Sequence, residues 1–152
     1  MTRERQEISL RSRALRFLAR REHSRAELAR KLAPLASEGD DLDAVLDEFT
    51  RRGWLSNARF AEQTIRAKSR RFGPVKLAHD LRAKGVSEDE IDAAFRAAGE
   101  EAQADIARVW ASRFSCAPAD ERERARQVRF LQGRGFTLGA ILHFMKRSPE
   151  RP

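Results

Sequence analysis

The 152 residues carry 31 Lys and Arg against 23 Asp and Glu, a net charge of +8 and an isoelectric point near 10.8, with 36% of side chains charged and 41% apolar. This composition excludes wholesale disorder and favours a polyanionic partner such as nucleic acid, an acidic protein surface or an anionic membrane. No stretch approaches the roughly 18 apolar residues of a membrane span, the charged start Met1 to Glu7 lacks the apolar core of a signal peptide, and the lone Cys116 excludes an internal disulfide framework and a Cys-rich zinc site.

Residues 1–8 are expected to be flexible. Ala14, Leu15, Leu18 and Ala19 then mark a first helix. Ser24-Arg25-Ala26-Glu27 reads as a capping box that opens a second helix, running to about Leu35. Pro34 must end or kink that helix. Asp40 and Asp41 start a third, which carries Leu42 and Leu46. Ser56 opens a fourth with Phe60, Ala61, Thr64, Ile65 and Lys68 on its pattern. Gly73-Pro74 sets proline at the first position of a fifth. Ser87-Glu88-Asp89-Glu90 is a second capping box, with three acids at the positive end of a sixth helix. Ile106, Val109, Trp110 and Phe114 mark a seventh, and the loop Ser115 to Asp120 separates it from an eighth. Thr137 starts a ninth, and the tail 147–152 is expected to be flexible. Strand signals are missing: Tyr is absent, β-branched residues are sparse, and no period-2 alternation is sustained.

A repeat underlies this order. Leu32, Ala36, Leu42 and Leu46 recur 49 residues later as Leu81, Gly85, Ile91 and Phe95, and 50 residues after that as Leu131, Gly135, Ile141 and Met145. Each set reads as the apolar end of one helix, a small residue in the turn, and an i, i+4 apolar pair on the next helix. Ala36 is the weak copy, so the first turn is expected to have a different shape. The expected fold is all-α: three tandem three-helix repeats over residues 9–55, 56–98 and 99–146, in an elongated, curved arrangement. A unit of about 50 residues has little core of its own, so neighbouring units are expected to pack on one another. Trp54, Leu55, Phe60 and Phe72 are the expected contributors to the first joint.

The chain shows no catalytic constellation. His23, His79 and His143 are scattered, Cys116 reads as an incidental loop thiol, and Asp40, Asp41, Asp43, Asp47 and Glu48 read as helix capping and solubility. No phosphate-binding Gly-rich loop or nucleophile elbow is present. No enzyme, cofactor or metal is therefore expected. Basic character is the remaining asset, although a GC-rich genome would also raise the Arg content. Residues 1–50 are neutral overall, whereas 51–100 and 101–152 each carry +4. The densest run, Thr64 to Val86, holds seven basic residues and one acid. The expected binding residues, chosen by charge, are Arg66, Lys68, Arg70, Arg71, Lys76, Arg82, Lys84, Arg126, Arg129 and Arg134. An alternative is a DNA-binding protein of helix-turn-helix type, with a helix in the major groove. The helices that would read bases, Asp89 to Ala98 and Leu138 to Met145, are poor in donors. Phosphate or protein contact is thereby favoured over base readout.

Several stretches together resemble the RecX family of bacterial recombination regulators. They are the run Ala14 to Leu28 with Arg20-Arg21-Glu22-His23-Ser24 at its centre, Arg59-Phe60-Ala61-Glu62, Gly73-Pro74-Val75-Lys76-Leu77, Leu81 to Val86, and Arg129 to Phe136. The resemblance spans about residues 9 to 146. It implies three tandem three-helix repeats and a partner, the RecA filament on single-stranded DNA. It further implies inhibition of RecA's recombinase, ATPase and co-protease activities, and so a role in DNA repair and the SOS response. Direct contact with single- or double-stranded DNA through phosphates, a monomeric state and a cytoplasmic location are also expected. Pro34 and the acid-rich turn Ser37 to Asp43 depart from the family's Gly-containing first turn. The resemblance transfers no catalytic set.

Overall fold

The computed structural model describes residues 8–99 and 105–147, so the segments expected to be flexible lie outside the described residues except for Ile8 and Arg147. Among the described residues there are nine helices and no strand: α1 (Leu10–Arg20), α2 (Arg25–Leu32), α3 (Leu42–Arg51), α4 (Asn57–Lys68), α5 (Pro74–Ala83), α6 (Glu88–Ala98), α7 (Ile106–Ala111), α8 (Glu121–Gly133) and α9 (Leu138–Arg147). Short polar side chains set the starts. Ser9, Ser24, Asp41, Ser56, Ser87, Asp105 and Asp120 each accept a backbone N–H of the turn they open, satisfying donors that a helix start leaves free. Ser87 and Glu90 form the complete reciprocal box. The box at Ser24 is only half formed, because the Glu27 carboxylate turns away to Arg21 and Lys84. A 3-10 turn, Ala33–Leu35, ends α2 around Pro34, and between α2 and α3 the positive φ falls on Gly39.

The helices close three separate cores. α1–α3 bury Leu10, Ala14, Leu28, Leu32, Leu46, Phe49 and Leu55. α4–α6 bury Phe60, Ala61, Ile65, Leu81, Val86 and Ile91. α7–α9 bury Val109, Trp110, Leu131, Phe136 and Ile141. Each fully buried Leu, Ile or Phe contributes about 1.5–3 kcal/mol, so a unit of this size holds a core of its own. This corrects the expectation of apolar joints. Leu55 belongs to the first core because its N–H, with that of Trp54, bonds back to the Phe49 carbonyl at 3.1 and 2.9 Å. Phe60 belongs to the second core. Trp54 packs edge-on against Phe49 within the first unit. Phe72 faces Arg134 of the third unit rather than the first.

The bonds across the joints end on main-chain carbonyls. The Ser24 hydroxyl, at the start of α2, donates to the Lys84 carbonyl at the end of α5 at 2.7 Å. Arg30 donates to the Ala83 carbonyl at 3.1 Å. At the next joint the Gly73 and Val75 N–H groups, at the start of α5, donate to the Arg134 and Gly135 carbonyls at 2.7 and 3.0 Å. Both times, the turn that ends a unit's second helix seats on the start of the preceding unit's second helix. Gly85 and Gly135 occupy those turns at φ 79° and 99°. A Cβ on Gly85 would stand 2.6 Å from the Ala26 Cβ, and one on Gly135 would stand 2.5 Å from the Lys76 Cβ and 2.7 Å from its backbone N. Positive φ and close approach therefore both demand glycine.

Gly135→Ala is expected to lower stability by about 2 kcal/mol, from the left-handed strain and the contact with Lys76. Gly133→Ala, at a helical glycine with nothing within 4 Å, is expected to raise stability by about 0.5–1 kcal/mol. Urea denaturation of both variants checks the pair. Equal effects would remove the special status of the joint glycine.

Candidate functional site

The ten basic residues expected from sequence do not form one surface. Arg66 is bonded to Glu62 at 2.7 Å and to the Ala97 carbonyl at 3.3 Å. Arg82 is bonded to Glu88 across the α5–α6 turn, which raises its pKa. Lys84 reaches Glu27 of the first unit at 3.3 Å. These three are engaged within the molecule. Lys68 lies on the wall between α4 and α5. Arg70 and Arg129 are exposed, and their side chains make no hydrogen bond or ion pair to a described residue.

The others meet at the second joint, where cations lie against phenyl rings. The Phe72 ring has Arg71 at 5.9 Å, Lys76 at 5.1 Å and Arg134 at 5.6 Å from its centroid. Arg134 is also 5.2 Å from the Phe130 ring, which has Arg113 at 5.8 Å. Phe130 meets Phe114 edge-on at 5.3 Å, and Arg126 lies 5.9 Å from Phe114. All are within cation–π reach. The three rings are half-buried and Arg71, Arg113 and Arg126 are exposed. The result is a continuous array of guanidinium groups and aromatic faces across two units. It can meet phosphates through the guanidinium forks and stack planar groups on the rings. Sequence reasoning missed Arg113 and the role of the rings. The signal was the Arg-Phe pairs Arg71-Phe72, Arg113-Phe114 and Arg129-Phe130.

Local folding fixes this array. The Gly73–Arg134 and Val75–Gly135 backbone bonds bring Phe72 to Arg134. In the third unit the Trp110 indole donates to Gln127 at 2.9 Å, and Gln127 donates to the Cys116 carbonyl at 3.2 Å. This buried chain anchors the loop that places Arg113 and Phe114. Gln127 is 5% exposed, so a sequence reading by charge passes over it.

A second ionic centre locks the first joint. Glu27, 6% exposed, receives a fork from Arg21 at 2.9 and 2.8 Å and a bond from Lys84 at 3.3 Å. Burial opposes its ionisation, but the bonds from Arg21 and Lys84 outweigh that and lower its pKa from 4.5 to about 2. Beside it, His23 is 1% exposed. Its Nδ1 lies 3.0 Å from the Arg21 carbonyl and its Nε2 lies 2.9 Å from Lys31 Nζ. A carbonyl only accepts and an ammonium only donates, so the proton sits on Nδ1 and the ring is neutral. Burial lowers its pKa below the ordinary 6.5; the carbonyl bond opposes this, and the charges of Arg21 and Lys31 add to it.

The described residues contain no group of three or more His, Cys, Asp or Glu placed to hold a metal. No described helix is long and apolar enough to cross a membrane. The fold and site define a class: an all-helical array of three-helix units with a cation–aromatic surface across its second joint. Within that class, the chain belongs to the RecX family. Family models for the first and second RecX three-helix domains match residues 11–49 and 56–94. It is 41% identical over 146 residues to the Regulatory protein RecX of Leptothrix cholodnii, covering 96% of this chain and 93% of that one. It is 45% identical over 140 residues to that of Ralstonia nicotianae, covering 90% and 86%. The crystal structure of RecX from Lactobacillus salivarius superposes with a TM-score of 0.72 at 18% identity, over 92% of this chain and 95% of that one. A second crystal structure of regulatory protein RecX gives 0.71 at 20% identity, over 93% and 73%.

Acidification is expected to loosen the first joint. A group with a depressed folded pKa loses its stabilising contribution as pH falls below its unfolded value. For His23 the loss begins below about 6.5, and for Glu27 it begins below 4.5 and runs to about 2. Glu27→Gln is expected to cost about 2–3 kcal/mol at pH 7 and to flatten the acid limb below pH 4.5. Melting curves from pH 7.5 to 3 check this. A wild-type transition temperature constant between pH 7.5 and 5.5 contradicts a neutral, buried His23.

Proposed function

We propose that this RecX-family protein binds RecA filaments on single-stranded DNA and inhibits RecA's recombinase, ATPase and co-protease activities, thereby modulating DNA repair and the SOS response. It acts in the cytoplasm as a monomer, without a cofactor and without catalysis of its own. The observation that carries this reading is Arg134 lying between Phe72 of the second unit and Phe130 of the third. That surface exists only when two units are joined. It lies along the array rather than in a closed pocket, and it combines charge with stacking faces, as a nucleoprotein surface requires. Helix-turn-helix base readout is less well supported. α6 opens with Glu88, Asp89 and Glu90, which repel phosphate at the helix end that would approach DNA.

Arg71→Glu with Arg126→Glu is expected to raise the concentration needed for half-inhibition of RecA ATPase on single-stranded DNA by about tenfold or more, a loss of at least 1.4 kcal/mol. Arg66→Gln with Arg82→Gln, which alters arginines bonded within the molecule, is expected to stay within about threefold. Affinity for the DNA itself should fall with salt at a log–log slope of about 0.7 per phosphate contacted, and the first variant should show a shallower slope. Full inhibition by the Arg71→Glu, Arg126→Glu variant overturns the placement of the surface. Absence of inhibition by the wild type overturns the function.

A further inference from the structure

The units differ in how their charges are paired. Every ion pair among the described residues lies within the first two units or between them. The acids of the third unit serve helix starts instead. Asp105 and Asp120 cap α7 and α8, Glu121 stands in the first turn of α8, and Glu123 Oε2 accepts the Ala119 N–H at 2.8 Å. The arginines of α8 are left without acids. Arg122, Arg126 and Arg129 stand at i, i+4 and i+7, so they share one face of the helix. That face lies opposite Leu131, which α8 buries. All three are exposed, and their side chains make no hydrogen bond or ion pair to a described residue. A row of like charges at this spacing works against the helix that carries it, and an anion laid along the row relieves that repulsion.

The row also selects the kind of anion. It is about 10 Å long at a rise of 1.5 Å per residue. One strand of a duplex carries a phosphate about every 3.4 Å of axis, so the row spans on the order of three phosphates. α8 has no exposed large apolar residue, so this face lacks the anchor on which a protein interface depends. Ala125 beside the row is exposed, and Gly133 beyond it has open space where a Cβ would stand, so a backbone can come close. Arg126 shares a recess of about 160 Å³ with Arg113, which joins the row to the array at the second joint. Glu123 lines that recess too, with one oxygen held by Ala119. We propose that the outer face of α8 is a track for the sugar-phosphate backbone of a nucleic-acid strand, with Arg122, Arg126 and Arg129 each donating to phosphate. The proposal deepens the proposed function and rests on it for the presence of single-stranded DNA. It adds Arg122 and Arg129, which no aromatic ring holds, to the contact surface.

Arg122→Gln with Arg129→Gln removes two charges, keeps a good helix former at both positions and enters no core. Arg66→Gln with Arg82→Gln removes the same charge from arginines paired within the molecule. Each full-length variant, with its melting curve matched to wild type, is titrated with an oligothymidylate at several salt concentrations and assayed for inhibition of RecA ATPase. The expected result for the α8 variant is a log–log salt slope shallower by about 1.4, two contacts at about 0.7 each, and an affinity at least about tenfold lower near 0.1 M salt. The control variant is expected to keep the wild-type slope and an affinity within about threefold. An unchanged slope in the α8 variant overturns the track. Equal losses in both variants reduce the effect to net charge and overturn it as well. Weaker inhibition of RecA with oligothymidylate binding intact makes the row a protein contact and overturns it as a DNA track. A wild type that inhibits RecA without binding oligothymidylate overturns the track and leaves the proposed function standing. Binding lost as expected in the α8 variant, from a wild type that does not inhibit RecA, supports the track and overturns the function.

Discussion

The fold turns on seating the carbonyl end of one second helix on the start of another, through backbone N–H groups at the second joint and through the Ser24 hydroxyl and Arg30 at the first. A helix start leaves N–H groups free and a helix end leaves carbonyls free. Here the end of α5 is set against the start of α2, and the end of α8 against the start of α5. The dipoles of α2, α5 and α8 thus run head to tail, with the negative end of one at the positive end of the next. The contact needs the two backbones to come close, which is why Gly85 and Gly135 stand where a Cβ would collide with Ala26 or Lys76. Because the joint works through backbone and charge, each unit must bury its own apolar residues, and the three cores are separate.

The candidate surface follows from that constraint. Phe72 lies one residue before the N-cap of α5, and Arg134 is the C-cap of α8. Seating one on the other brings a phenyl ring and a guanidinium together that are far apart in sequence. Phe130, a turn earlier on α8, extends the array to Arg113 and Phe114. At the first joint the same seating brings Lys84 to Glu27 instead. There the equivalent cation is spent on a buried carboxylate, so that joint gains an ionic lock. Two copies of one geometry thus differ in role because the residues around the turn differ.

Much of the fold was legible in the sequence because its signals are local. The 4, 6, 4 spacing of Leu81, Gly85, Ile91 and Phe95 and its later copy marks helix ends and starts that depend on neighbours in the chain. Caps at Ser56, Ser87, Asp41 and Thr137 act within one turn and were equally readable. The joints were not. Trp54, Leu55, Phe60 and Phe72 drew attention as apolar residues between units, whereas the real contacts use main-chain carbonyls that carry no residue signature. Charge counting likewise marked Arg66, Arg82 and Lys84, since composition cannot show that Glu62, Glu88 and Glu27 fold back to meet them. Arg113 escaped because its importance comes from Phe130, seventeen residues away on α8.

The two ends of the row of second helices show the same physics with side chains in place of neighbours. The start of α8 has no described unit seated on it. It is capped by Asp120, with Glu121 and Glu123 in its first turn, so carboxylates supply the negative charge that carbonyls supply to α5. α5 itself has no acid in its first turn. At the other end, α2 carries Arg30 and Lys31 in its last turn. Its C-terminus does not make the glycine turn of α5 and α8 but runs into the 3-10 turn around Pro34. Ala36 stands there in an extended conformation, which lacks the tight backbone surface that Gly85 and Gly135 present. The first unit is thus built to receive a neighbour's turn and not to offer one. The departure of its sequence from the repeat is the local expression of that asymmetry.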